Sequence, residues 1–64
     1  MSQMARLLSA VQRYSARAEE ARTRADEMED LAAREAMLEV AASYEYLVKT
    51  ARAQLQSVSA PGIR

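Results

Sequence analysis

Three pairs of neighbouring carboxylates, Glu19-Glu20, Asp26-Glu27 and Glu29-Asp30, are the residues of this sequence whose type could support acid–base or metal chemistry. A carboxylate serves as general acid or base when burial in a cleft shifts its titration. It serves a carboxylate-bridged metal site when inward-facing Glu residues are joined by a His three places on. The chain has no His and no Cys. The usual base near neutral pH, the commonest metal ligand, the thiolate and the disulfide are therefore all missing. The single Gly is Gly62, so no Gly-rich loop cradles a phosphate. The chemistry expected is that of a solvated acidic surface, with no catalysis, no cofactor and no metal.

The elements that carry these residues are helical. Ala, Leu, Met, Glu, Gln and Arg dominate the chain, and these are strong helix formers. The only Pro and the only Gly stand together at Pro61-Gly62, so nothing punctuates residues 1–60. β-Branched residues are scattered, which leaves a strand reading without support. The chain has 64 residues, room for one domain with a modest core. With metal and disulfides missing, self-association is the expected support.

Two seven-residue repeats organise the chain. Met4, Val11, Ala18 and Ala25 form one row of the first, and Leu7, Tyr14, Ala21 and Met28 form the other. In the second, Met37, Tyr44, Ala51 and Val58 stand beside Ala41, Val48 and Leu55. These are a and d positions of heptads, and each pair of rows makes one apolar stripe on a helix. The repeats are out of phase, for nine residues separate Met28 from Met37 where an unbroken heptad has seven. On one continuous helix that shift of two would rotate the second stripe by about 160–200°. A chain that folds back near residue 31 lets the stripes face each other instead. The expected fold is therefore all-α: helix 3–28, turn 29–31, helix 32–58 and a flexible tail 59–64. Ser2 and Asp30 are the expected N-caps.

In the hairpin the intrachain packing set is Met4, Leu7, Val11, Tyr14, Met37, Tyr44, Val48, Leu55 and Val58. Antiparallel pairing of the rows sets Tyr14 against Val48 and Ala18 against Tyr44, so that each stripe tyrosine meets a smaller partner. Outside the rows lie Leu8, Leu38, Val40 and Leu47, at flanking e and g positions. Left wet, such side chains forgo about 1.5–3 kcal/mol each relative to full burial. Two hairpins packed as a four-helix bundle would cover them, so these four are the expected oligomer interface. Tyr46 lies off the stripe beside Leu47, a combination common at interfaces.

The string RYSARAEEARTRADEMEDLAAREAMLEVAASYEYL resembles small α-helical hairpin proteins of alphaproteobacteria, of the rhizobial type. Their pattern runs Tyr-x-x-Arg-Ala, an Ala/Glu-rich stretch, Asp-Pro, then Arg, Met-Leu, Ala and Tyr-Glu-x-Leu. The matching residues here are Tyr14, Arg17, Ala18, Arg34, Met37, Leu38, Ala41, Tyr44, Glu45 and Leu47, within residues 13–53. The chain departs at Asp30-Leu31, where the pattern has Asp-Pro. The resemblance implies a helical hairpin and implies no activity.

Nine basic and nine acidic residues cancel. They are unevenly spread, with Arg6, Arg13, Arg17, Arg22 and Arg24 early, seven acids against Arg34 in residues 26–45, and Lys49, Arg52 and Arg64 late. Such charge serves solubility and helix pairs such as Glu20–Arg24 and Glu45–Lys49. It could also steer association of the ends. The expected function is a non-enzymatic helical interaction or assembly module. Its expected partners are a second copy of the chain, most simply as a homodimer, and a further protein whose helix the hairpin caps. A nucleic-acid binder using the five early arginines is the alternative, and the neutral total and lack of aromatic–basic interleaving speak against it. A membrane-surface helix over residues 1–17, with Leu7, Leu8 and Val11 beside Arg6, Arg13 and Arg17, is a further alternative. The longest uninterrupted apolar runs are three residues, as in Leu31-Ala32-Ala33, where roughly 20 are needed to span a bilayer. The N-terminus lacks the apolar core of a secretory signal, so the expected location is the cytoplasm.

Overall fold

The computed structural model describes residues 2–59, which form two helices packed as a hairpin: α1, Gln3–Glu27, and α2, Leu31–Ser59. Among the described residues there is no strand. Ser2 caps α1, its Oγ accepting from the Ala5 N–H at 3.0 Å, while its carbonyl accepts the Arg6 N–H at 3.1 Å. One of the four orphan donors of the first turn is thereby satisfied by the side chain.

The turn occupies residues 28–30, one residue earlier than the 29–31 expected from the repeats, and Leu31 is already helical. Its geometry explains how the chain reverses without Gly. Many helices end on a residue in the left-handed region, which favours Gly. Here Met28 instead leaves α1 in extended backbone, at φ −89° and ψ 134°, and no described residue has positive φ. The Met28 N–H still reaches the Ala25 carbonyl at 3.1 Å. Arg34 reaches back from α2 and donates from Nη2 to the Met28 carbonyl at 2.8 Å, so that the freed acceptor is paired. Asp30 caps α2, with Oδ2 accepting from the Ala33 N–H at 2.8 Å and its carbonyl from the Arg34 N–H at 3.0 Å. The last helical residue is Ser59, and residues 60–64 of the expected tail lie outside the described residues.

The core is made of methyl groups. Ala18, Ala21, Ala25, Ala41, Val48 and Ala51 are buried, and among the described residues nothing larger than valine joins them. Of the larger expected packing residues, only Val48 is fully inside. Leu7, Val11, Tyr14, Met37, Tyr44 and Leu55 are half-buried, whereas Met4 and Val58, at the open end, are exposed. The cause is steric. Alanine at facing positions lets two helix backbones approach closely, and the larger side chains of the same rows are then turned outward to the edges of the contact. Each buried methyl contributes only about 0.8 kcal/mol, so this seam holds the helices in register with a small hydrophobic return.

Candidate functional site

At 100° per residue, a g position falls about 60° from d, and an e position about 40° from a. The hairpin therefore has two faces, one built from d and g rows and one from a and e rows. On the first, Val40 shares a hollow with Met37, Tyr44, Arg17 and Arg24. Leu47, seven residues beyond Val40, continues its row. On the second, Ala18, Arg22, Glu45 and Val48 line a hollow together. Leu38 lies seven residues before Glu45 and Leu8 fourteen before Arg22, so both belong to this second face. The expected interface set is thus divided: Val40 and Leu47 stand on one face, Leu8 and Leu38 on the other, near opposite ends.

The centre of the first face is aromatic. The Tyr14 and Tyr44 rings stack with centroids 6.2 Å apart and an interplanar angle of 30°. The expectation that each tyrosine would meet a smaller partner is corrected here. The two rings come from adjacent layers, about one helical turn apart, and both line one hollow with Arg13, Arg17 and Glu20 on the d/g face. Spanning that offset is within reach of a tyrosine ring, and stacked pairs add about 0.5–1.5 kcal/mol beyond their area. The Arg13 guanidinium lies over the Tyr14 ring, 5.6 Å from its centroid. Tyr46, expected to act with Leu47, is 69% exposed one residue away around the helix and points off this face.

The flanks of the first face differ between the helices. On α1 the bordering g and c positions include Arg13, Arg17, Glu20, Arg24 and Glu27. On α2 they are Ala33, Ala36, Val40, Ser43, Leu47, Thr50, Gln54 and Ser57, without a single charge. Two hydroxyls of this border are turned back into their own helix. Ser43 Oγ donates to the Glu39 carbonyl at 3.1 Å, and Thr50 Oγ1 donates to the Tyr46 carbonyl at 3.0 Å. The border thus presents carbon to its surroundings, with Val40 42% and Leu47 38% exposed.

Ion pairs mark the other surfaces. Arg22 bridges the helices to Glu45 and also holds Glu19 at 2.6 Å, while Arg17 pairs with Glu20 at 3.3 Å. The partners differ from those expected, since Glu20 takes Arg17 and Glu45 takes Arg22. Exposed pairs of this kind are worth about 1 kcal/mol or less. Charge is graded along the hairpin. Residues 2–16 and 46–59, the open end, carry Arg6, Arg13, Lys49 and Arg52 and no acid. Residues 26–39, the turn end, carry six acids against Arg34.

All nine acids are exposed. Among the described residues no three His, Cys, Asp or Glu side chains are grouped so as to hold a metal ion, and no helix is long and apolar enough to cross a membrane. No protein-family model matches the chain, and no curated protein or solved structure matches it either.

Proposed function

We propose that the chain is a non-enzymatic assembly module whose hairpins associate with one another through the Tyr14–Tyr44 face, forming a four-helix bundle. The observation that carries this reading is the inverted size order of the α2 side chains. The buried positions hold Ala41, Val48 and Ala51, whereas Val40 and Leu47 remain exposed on an uncharged border beside half-buried Met37 and Tyr44. A second hairpin laid on this face would cover Val40 and Leu47, at about 1.5–3 kcal/mol for each side chain fully buried, and would do so on both copies. The alanine seam cannot supply that stabilisation alone.

Light scattering at micromolar concentration tests the proposal. The expected mass is that of two chains. Val40→Glu with Leu47→Glu should reduce it to one chain, because a carboxylate would have to be desolvated at each site. Leu8→Glu with Leu38→Glu, on the other face, should leave it at two and so controls for the added charge. A wild-type mass of one chain, or an equal response to the two pairs, refutes the proposal.

A further inference from the structure

The border of α2 is itself a heptad seam. Ala36, Val40, Ser43, Leu47, Thr50 and Gln54 follow one another at intervals of four, three, four, three and four residues. This is the spacing that brings a second helix into knobs-into-holes contact. It runs one residue before the rows that pack α2 on α1, so α2 carries two seams side by side. From this we infer that the occupant of the second seam is α2 of a second copy, lying antiparallel about a two-fold axis near residue 45. The inference rests on the self-association proposed above and adds which helix meets which, and in what direction.

Three observations point the same way. The corresponding border of α1 carries Arg13, Arg17, Glu20, Arg24 and Glu27, which would have to be desolvated in a dry seam, whereas the α2 border is uncharged and its Ser43 and Thr50 hydroxyls are already bonded. The seam is also symmetric in position. Residue 45 is the midpoint of Leu31–Ser59 and of the span from Ala36 to Gln54. An axis there sets Ala36 against the second copy's Gln54 and Ser43 against its Leu47, so that in these two layers a large residue meets a small one, while Val40 meets the similarly sized Thr50. Charge then selects direction. The charges nearest this seam, at b and f positions, are Glu35 and Glu39 in the first half of α2 and Lys49 in the second, whereas Glu45 and Arg52 stand on the other face. Antiparallel packing sets the acidic half of each copy beside the basic half of the other, whereas parallel packing sets like beside like. About an axis at residue 45, Glu39 falls opposite residue 51 of the second copy, two residues or about 3 Å along the helix from its Lys49.

Cysteine cross-linking tests this. Ala36 and Gln54 are both exposed, so neither substitution disturbs the hairpin. Ala36→Cys and Gln54→Cys chains, distinguished by a tag, are oxidised separately and as an equimolar mixture. Only the mixture should yield a disulfide-linked pair, because in the antiparallel dimer like positions are about 27 Å apart along the axis. Ala36→Cys linking to itself overturns the direction. A two-chain mass with no disulfide in any sample overturns the seam but leaves self-association standing, and a one-chain mass overturns both.

Discussion

Replacement of Leu31 by proline distinguishes a chain that turns at Asp30 from one that continues as a helix, and the structure fixes the expected sign. Leu31 is the first residue of α2, directly after its Asp30 cap. The first intrahelical bond into the cap carbonyl comes from the Arg34 N–H, so the Leu31 N–H has no place in the helical ladder. Proline removes only that dispensable donor and holds φ near its helical value. The residue before a proline is driven to extended backbone, which is also what an N-cap adopts. The side chain lost is 66% exposed, so little packing goes with it. What remains is the reduced freedom of the unfolded chain, worth about 0.4–1 kcal/mol. For a domain of this size each kcal/mol moves the melting midpoint by about 4–8 °C, so the expected rise is about 2–8 °C. The assay is a circular dichroism melt at fixed protein concentration, with Asp30→Ala as its companion, expected to lose about 1 kcal/mol with the cap. In an unbroken helix the same proline would remove an internal bond and clash with the preceding turn, at about 3 kcal/mol or more. A fall in midpoint, or loss of helical signal, would refute the capped turn.

Ala21→Leu should destabilise the hairpin by about 1–3 kcal/mol in a denaturant titration, because Ala21 is buried between the helices and a larger side chain there overpacks the seam. The melting midpoint of the wild type should rise with concentration, by about 6 °C per tenfold if dissociation and unfolding are coupled, given roughly 0.7 kcal/mol of enthalpy per residue in a two-chain unit. A midpoint that does not move with concentration would detach stability from association.

The hairpin was legible in the sequence because two heptads meet out of phase between Met28 and Met37, and no continuous helix can bury both. Ser2 and Asp30 were legible as caps because their side chains act locally. The turn was placed only to within one residue. Its stabilising element is Arg34, whose contact with the Met28 carbonyl spans six positions and follows no short-range rule. The core was misjudged in emphasis. Periodicity names rows without saying how closely the helices approach, and the five buried alanines set that distance, turning Leu7, Tyr14 and Met37 toward the edges. The Tyr14–Tyr44 stack was missed for the same reason: layer pairing treats each row as central, whereas the rings meet on one face. The flanking set was read as a unit, yet e and g positions lie on opposite faces once a partner helix occupies the seam between them.

On the proposed association, the two seams of α2 would explain why the chain buries small residues and leaves larger ones outside. Rotating α2 by one residue would bring Val40 and Leu47 against α1, but it would also bring in Ser43, Thr50 and Gln54. The observed rotation places Met37, Ala41, Tyr44, Val48, Ala51 and Leu55 toward α1, a row with no polar atom except the tyrosine hydroxyl. Burying a polar group costs free energy unless a partner is supplied, so the wholly apolar seam suits the contact made within one chain. The mixed seam suits a contact that forms second. Ser43 and Thr50 have their hydroxyls satisfied within the helix whether or not a second copy is present, and Gln54 sits at the rim where water can reach it. Association through that seam then demands no new polar partner at its centre, and separation leaves none unpaired. A hairpin held by methyl groups and completed by a second copy would follow from this division, with the composition of each seam matched to whether its contact is permanent or reversible.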